Sequence, residues 1–251
     1  MKFIALIISL SIVSGSALPA TAGSLTLTHL RGNVYYVEDD FFAKENSAVY
    51  IGKDHVTVVG ATWSPETAQL LTKEIAKVTK QPITEVIDTN YHPDRIGGNA
   101  YFRSIGARII STDMTRDLIK SGYDDVVAGT RKAFPDYAVI APTLPDITYP
   151  GDFSLQGGNV KAMYFGPAHT PDGILVYFPD EKVLYGGCTL KEQLGNLAYA
   201  NIAEYPNTLR KLQQANLGYT TIIAGHYSPI HGPELVDQYI ALLAQAYPQE
   251  R

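Results

Sequence analysis

The sequence contains a single cysteine, Cys188, among its 251 residues. No disulfide can therefore form within the chain. A lone thiol can be a buried spectator, an intermolecular link, a nucleophile or a metal ligand. Taken without its surroundings, Cys188 is best interpreted as a buried spectator, so any other role must come from the residues around it.

Basic residues are also few, and they form no run or stripe. The chain has 20 Lys and Arg against 25 Asp and Glu, which gives a formal net charge of −5 at pH 7. Nucleic acids and anionic membranes attract clustered positive charge. The composition therefore argues against nucleic acid and against a membrane as partners.

No hydrophobic run reaches the roughly 20 residues needed to cross a bilayer. The apolar run 3–13 follows Lys2 and precedes the small residues ATA at 20–22. This order is typical of a signal peptide covering residues 1–22. We expect export, to the periplasm in a Gram-negative cell, and a mature chain of residues 23–251 that forms one domain.

Hydrophobic periodicity predicts strands and helices that alternate along the chain. Segments 25–37 and 48–59 alternate as antiparallel strands, and Ser64 caps a helix that begins at Pro65. Further strands are predicted at 83–87, 108–110, 147–149, 153–155, 160–165, 174–178, 183–185 and 221–224. Further helices are predicted at 96–105, 113–134 with a break or kink around Gly122, 204–215 and 233–246. The pattern favours an α/β fold with two packed sheets and helices outside.

Metal-competent side chains occur at four predicted strand ends, where sites are commonly built. On an extended backbone His92 and Asp94 would project to the same side, as two ligands of one metal would need. The four segments are NYHPDRIGG (90–98), GPAHTPDG (166–173, with His169), YGGC (185–188) and IIAGH (222–226, with His226). Four such loops together favour one shared metal site.

In this order the residues resemble the metallo-β-lactamase pattern His-x-His-x-Asp, then histidine, cysteine and a final histidine. Asn90 replaces the first histidine and Arg95 follows the aspartate, so the chain is similar to the second subclass of class B enzymes. Those are mono-zinc, carbapenem-selective hydrolases. Together with GGNAY (97–101) and GGCTLKE (186–192) the resemblance covers essentially the whole mature chain. It implies a four-layer αββα sandwich of two mixed β-sheets packed face to face.

The chemistry of the side chains agrees with this resemblance. An amide is a poor zinc ligand compared with neutral imidazole, so Asn90 prevents a three-histidine site. Asp94, Cys188 and His226 remain as three ligands with one position open, as in a catalytic zinc site. Zinc would also keep Cys188 deprotonated and unreactive.

The resemblance implies roles for the remaining site residues. His92, or Asp94 in a competing assignment, activates a water that attacks the carbonyl of a β-lactam, and zinc stabilises the leaving lactam nitrogen. His169 also stays free of the catalytic metal and can handle protons. A second zinc bound between His92 and His169 would inhibit the enzyme.

Other positions are expected to contact the substrate. By resemblance, Lys191 pairs with the substrate carboxylate, Asn196 hydrogen-bonds or polarises the substrate, and Trp63 lines the pocket mouth. Pro93 stands where threonine is usual, and Tyr199 replaces an apolar aromatic residue that limits the pocket. We expect a monomer that acts on a small-molecule β-lactam.

Three other functions fit parts of the same pattern. A thioesterase such as glyoxalase II shares the fold but needs histidine where this chain has Arg95. A non-catalytic periplasmic zinc-binding or carrier protein would need the three ligands, but it would not need Lys191 or an open coordination position. A cysteine hydrolase using Cys188 with His226 would keep its activity in the presence of a chelator.

Overall fold

A computed structural model describes residues 23–248, so the predicted signal peptide at 1–22 lies outside the described residues. Within residues 23–248, thirteen strands and six α-helices alternate along the chain. None of the helices in this range combines the length and the apolar character needed to cross a membrane.

The first sheet has seven strands that lie in the order of the sequence. Neighbours from β1 to β4 pair antiparallel, whereas β4 to β7 run parallel, so the sheet is mixed. Its strands are β1 (Leu25–Arg31), β2 (Val34–Asp39), β3 (Glu45–Ile51), β4 (Val56–Val59), β5 (Ile83–Ile87), β6 (Arg108–Thr112) and β7 (Ile147–Tyr149).

The second sheet has six strands in the order β13-β12-β11-β10-β9-β8. Strands β11 and β12 are parallel, and their neighbours pair antiparallel. The strands are β8 (Phe153–Leu155), β9 (Val160–Met163), β10 (Leu175–Phe178), β11 (Val183–Gly187), β12 (Thr221–Ala224) and β13 (Ile230–His231).

The two sheets pack face to face through a shared apolar core. Tyr50 and Val59 of the first sheet and Val176 and Phe178 of the second belong to one buried cluster. The rings of Tyr50 and Phe178 stack with centroids 5.8 Å apart. Burying apolar surface between two sheets is the main source of stability in such a sandwich.

Helices cover the outer faces of both sheets. Leu71 and Phe102, from α1 and α3, join Val58 in a cluster outside the first sheet. Leu209 and Tyr239, from α5 and α6, join a cluster outside the second sheet. The helices are α1 (Pro65–Val78), α2 (Pro93–Ile96), α3 (Asn99–Ser104), α4 (Asp113–Ala133), α5 (Tyr205–Gln214) and α6 (Leu235–Ala246). The predicted αββα sandwich is therefore confirmed.

Local details differ from the sequence prediction at three places. The segment 25–37 turns at Gly32, whose φ is +54°, and so forms two strands. In place of the helix predicted at 96–105, the chain forms two short helices, α2 at Pro93–Ile96 and α3 at Asn99–Ser104. Helix α4 is continuous through Gly122, so the predicted break is wrong. A Cβ at Gly122 would lie 3.5 Å from the Tyr91 ring, an ordinary van der Waals distance, so the packing does not require glycine at this position.

Candidate metal centre

Three potential ligand atoms converge at the strand ends of the sandwich. Asp94 Oδ2 lies 3.3 Å from Cys188 Sγ and 3.3 Å from His226 Nε2, and the latter two atoms are 3.6 Å apart. Zinc bound tetrahedrally at about 2.0–2.3 Å separates neighbouring donor atoms by about 3.3–3.6 Å. A carboxylate, a thiolate and an imidazole at these distances fit a zinc ion with one position open.

The ends of β11 and β12 approach closely enough to bring Cys188 and His226 together. A Cβ at Gly225 would lie 2.2 Å from the carbonyl oxygen of Gly187, so only glycine fits between these strands. Gly187 itself has φ of +50°, in the left-handed region that favours glycine. Close backbone approach therefore requires glycine at 225, and the left-handed backbone favours it at 187.

His226 is oriented by the loop before β3. Its Nδ1 lies 2.9 Å from the Lys44 carbonyl oxygen and donates to it, which directs Nε2 towards Asp94 and Cys188. A second hydrogen bond of this kind commonly fixes the tautomer of a metal-binding histidine. His226 is thus presented with Nε2 as the ligand atom.

Asp94 does not lie on an extended backbone, contrary to the geometry expected from the sequence. His92 has extended φ and ψ values, but Asp94 lies in the first turn of α2. The change from extended to helical backbone at Pro93 sends the two side chains in different directions. Only Asp94 therefore joins Cys188 and His226.

Arg95 connects the three candidate ligands to Glu45, a residue that the sequence pattern did not single out. Its guanidinium donates from Nε to Cys188 Sγ at 3.0 Å and lies 3.0 Å from Asp94 Oδ2. The same group donates from Nη1 to Glu45 Oε2 at 2.7 Å and to the Tyr185 hydroxyl at 2.6 Å. Arg95 and Glu45 are completely buried. A glutamate three residues before the apolar run at 48–51 was the available signal for this partner.

The charge of Arg95 favours the ionised forms of the ligands. Burial disfavours the Asp94 carboxylate, but Arg95 and His226 outweigh burial and hold the pKa of Asp94 well below its usual value. Burial likewise opposes the Cys188 thiolate, and Arg95 still lowers the pKa of that thiol. Burial opposes the His226 imidazolium, whereas hydrogen bonds to Asp94 and Cys188 raise the pKa of His226 to about 9. A metal would take the place of the proton on Nε2.

His92 and His169 form a separate pair beside the three ligands. Their ring centroids are 5.1 Å apart in an edge-to-face arrangement. Burial lowers the pKa of His92 to about 4 and places that of His169 well below its usual value, so both are neutral at pH 7. His92 Nε2 has no hydrogen-bond partner among the described residues. The His92 residue itself lines the pocket.

The remaining predicted residues occupy distinct positions. Asn90 does not reach the three ligands, and its Oδ1 accepts a hydrogen bond from the His92 amide at 2.9 Å. Lys191 is 2 % exposed, so it is not a solvated surface lysine. Its ammonium lies 3.0 Å from the Cys188 carbonyl oxygen and 3.2 Å from His169 Nδ1. Burial lowers the pKa of Lys191 to about 8.

A cavity of about 290 Å³ opens above these side chains. Trp63 lines it and packs edge-to-face against Phe42 and Tyr137, so this residue serves both the core and the pocket. Asn196 also lines the cavity, and its Oδ1 accepts from the Ala198 amide at 3.0 Å. Tyr199 lines it as well, with its ring centroid 5.4 Å from that of His92.

An αββα sandwich with three converging donors and an open pocket defines a metal-binding protein with a position free for a substrate or water. A family model described as the metallo-beta-lactamase superfamily matches residues 42–226. The chain belongs to this superfamily, and the predicted family is confirmed.

The chain also aligns with individual metallo-beta-lactamases over most of its length. The chain is 28% identical to a metallo-beta-lactamase type 2 of Elizabethkingia meningoseptica, over 88% of this chain and 86% of that protein. It is 27% identical to a metallo-beta-lactamase type 2 of Bacillus cereus, over 81% and 77% of the two chains.

Solved structures agree on the fold. A metallo-beta-lactamase from Pontibacter korlensis aligns with a TM-score of 0.76 and 22% identity, over 88% of this chain and 99% of that one. The metallo-beta-lactamase FIM-1 from Pseudomonas aeruginosa, in its mono-zinc form, aligns with a TM-score of 0.75 and 20% identity, over 88% and 96%.

Proposed function

We propose that the protein is a zinc-dependent β-lactamase that prefers carbapenems. One observation carries the proposal: neutral His92, with Nε2 unpaired among the described residues, lies beside the converging Asp94, Cys188 and His226. Membership of the superfamily and the similarity to two metallo-beta-lactamases support a reaction on the β-lactam ring.

Asp94, Cys188 and His226 would hold the zinc ion. Bound there, zinc would act as a Lewis acid towards negative charge that develops on the substrate. Arg95 lowers the pKa of Asp94 and of Cys188 and so favours their ionised forms, which are the forms that bind zinc. The carbonyl of Lys44 keeps His226 in the orientation that presents Nε2.

His92 is the better of the two candidate bases. It is buried and neutral, and its Nε2 is free to take a proton from water. Asp94 Oδ2 is already in contact with Arg95, Cys188 and His226, and its pKa lies well below the usual range. An acceptor so strongly stabilised in its ionised form is a weak base. His92 therefore activates the attacking water.

Lys191 and Asn196, which both line the pocket, would bind the substrate. The Lys191 ammonium can keep its hydrogen bond to the Cys188 carbonyl while it meets a carboxylate in place of His169. Asn196 uses Oδ1 to accept from Ala198, which leaves its amide N–H groups to donate to the substrate carbonyl.

The preference for carbapenems rests on the Asn90 pattern and on the size of the pocket. A cavity of about 290 Å³ is at the lower end of the roughly 300–1,000 Å³ typical of ligand pockets. His92 and His169, with ring centroids 5.1 Å apart, would accept a second zinc and so lose the base. Excess zinc should therefore inhibit. We also propose a monomer that is exported to the periplasm.

Hydrolysis of imipenem by the purified protein, with zinc content measured on the same sample, tests the proposal. Benzylpenicillin, a cephalosporin and S-lactoylglutathione complete the substrate panel. We expect one zinc per chain and fastest turnover of imipenem. Bound zinc without hydrolysis of any β-lactam would favour the zinc-binding protein, and turnover of the thioester alone would favour the thioesterase.

The variant His92→Ala tests the base. We expect kcat to fall about 10²–10⁴-fold, as general bases usually contribute, with zinc content unchanged. His29→Ala is the matched control, because His29 is exposed on β1 and lies outside the residues that line the pocket. Equal kcat in His92→Ala and the control would remove His92 from the mechanism.

A further inference from the structure

Tyr199 connects the substrate-facing loop after β11 to helix α4. Its hydroxyl donates to the Asp125 carbonyl oxygen at 2.9 Å, and its ring packs edge-on against His92 at 5.4 Å between centroids. We propose that this contact is a latch that restricts the pocket to β-lactams with small substituents. The selectivity rests on the proposed function, whereas the latch itself does not.

The loop depends on side-chain contacts for its position. Residues 192–200 form neither helix nor strand, and most are at least partly exposed. The Asn201 amide anchors the end of this loop to the Ala168 carbonyl, and the Tyr239 hydroxyl donates to Leu194 O at 3.2 Å. Tyr199 adds the tie to α4, the helix that lines the other side of the pocket.

Helix α4 provides space for the hydroxyl through Gly129. A Cβ at Gly129 would lie 2.7 Å from the Tyr199 hydroxyl oxygen but 3.7 Å from the ring carbon Cζ. A hydroxyl that is 2.7 Å from a carbon must move, whereas 3.7 Å is an ordinary contact. Glycine is unfavourable within a helix, so its presence at this position fits a need for room. Substitution of Gly129 is therefore a second, independent way to perturb the contact between the Tyr199 hydroxyl and α4.

The latch closes the pocket between α4 and the loop 192–200. Val126, Gly129 and Thr130 of α4 line the cavity together with Tyr199 and Asn196. With the loop tied to α4, a bulky substituent cannot enter between them unless the hydrogen bond breaks. A small substituent fits with the bond intact. Tyr199 is therefore a specificity-determining residue that acts through its hydroxyl.

Tyr199→Phe removes the hydroxyl and keeps the ring on His92. Loss of one hydrogen bond should speed amide hydrogen exchange in residues 192–200 by about fivefold. The ratio of kcat/KM for ceftazidime, a cephalosporin with a bulky side chain, to that for imipenem should rise by about as much. Hydrogen–deuterium exchange by mass spectrometry gives the first readout, and steady-state kinetics on the same preparations give the second.

Gly129→Ala should change both readouts in the same direction, because the added Cβ displaces the hydroxyl. In the Tyr199→Phe background the same change should have less than a twofold effect. Gly122→Ala is the matched control: it makes the same substitution in α4, where the added Cβ meets only the Tyr91 ring at 3.5 Å.

Wild-type exchange and wild-type selectivity in Tyr199→Phe, each within twofold, would overturn the proposal. Equal effects of Gly129→Ala with and without the hydroxyl would also overturn it, since the helix and not the latch would then be responsible. If exchange is faster in Tyr199→Phe but the wild-type protein hydrolyses no β-lactam, the latch is supported, whereas the selectivity and the proposed function are both overturned.

Discussion

Arg95 Nη1 and Glu45 Oε2 lie 2.7 Å apart, and neither side chain has any exposed surface. Glu45 is the first residue of β3, and Arg95 follows the ligand Asp94 in α2. The same guanidinium contacts Asp94 and Cys188. A single buried charge thus joins the beginning of β3, an interior strand of the first sheet, to two of the three proposed metal ligands.

Glu45→Gln should lower the free energy of unfolding by about 3 kcal/mol, because it leaves a buried guanidinium with less opposing charge. Urea unfolding of the chelator-treated protein measures this. Glu38→Gln is the matched control: Glu38 pairs with Lys44 at 2.6 Å, but both side chains are partly exposed. Exposed pairs contribute about 0–1 kcal/mol. Equal losses in the two variants would show that Glu45 does not compensate Arg95.

Cys188 should react with iodoacetamide only after the metal is removed. The thiol is buried and lies within 3.6 Å of both other ligands, so bound zinc would hold and shield it. We expect chelation to abolish hydrolysis, added zinc to restore it, and alkylation of the metal-free protein to prevent restoration. Activity that survives chelation but not alkylation would identify a cysteine hydrolase instead.

Asn90→His should permit a second zinc and broaden the substrate range. Asn90 is buried next to His92, so an imidazole at this position would complete a three-histidine set with His92 and His169. Metal content by mass spectrometry and kcat/KM for benzylpenicillin against imipenem measure the two effects. If one zinc remains bound and selectivity is unchanged, Asn90 does not determine the subclass.

Asp172→Asn should change how stability depends on pH. Burial raises the pKa of Asp172 to about 6, although nearby hydroxyl groups of Thr170 and Thr115 lower it. A carboxyl whose pKa is higher in the folded than in the unfolded state stabilises at low pH. This contribution disappears as pH rises from about 4 through 6.

The shift from 3.8 to about 6 corresponds to roughly 3 kcal/mol. The asparagine variant should therefore gain about that much relative to wild type between pH 4 and pH 7. Urea unfolding at both pH values, on metal-free protein, provides the comparison. A constant difference between wild type and Asp172→Asn across this range would mean that Asp172 does not titrate with a raised pKa.

Local patterns were sufficient for most elements of the fold. Ser64 and Pro65 predicted the start of α1, and the structure has Ser64 and Thr67 in a capping box there. The Gly122 prediction failed because one glycine costs a helix only about 1 kcal/mol, which the buried face of α4 outweighs. The prediction of an extended backbone from His92 to Asp94 failed because Pro93 is compatible with the first turn of a helix as well as with an extended loop.

The sequence by itself determined which side chains could bind a metal, their order along the chain and their placement at strand ends. These properties follow from residue chemistry and short-range periodicity. Tertiary structure alone decided that Arg95 is held by Glu45, that Lys191 is buried against His169, and that Tyr199 reaches α4. Each of these contacts joins residues far apart in sequence, and their distances depend on how two sheets and their helices pack. Local sequence patterns do not specify those distances.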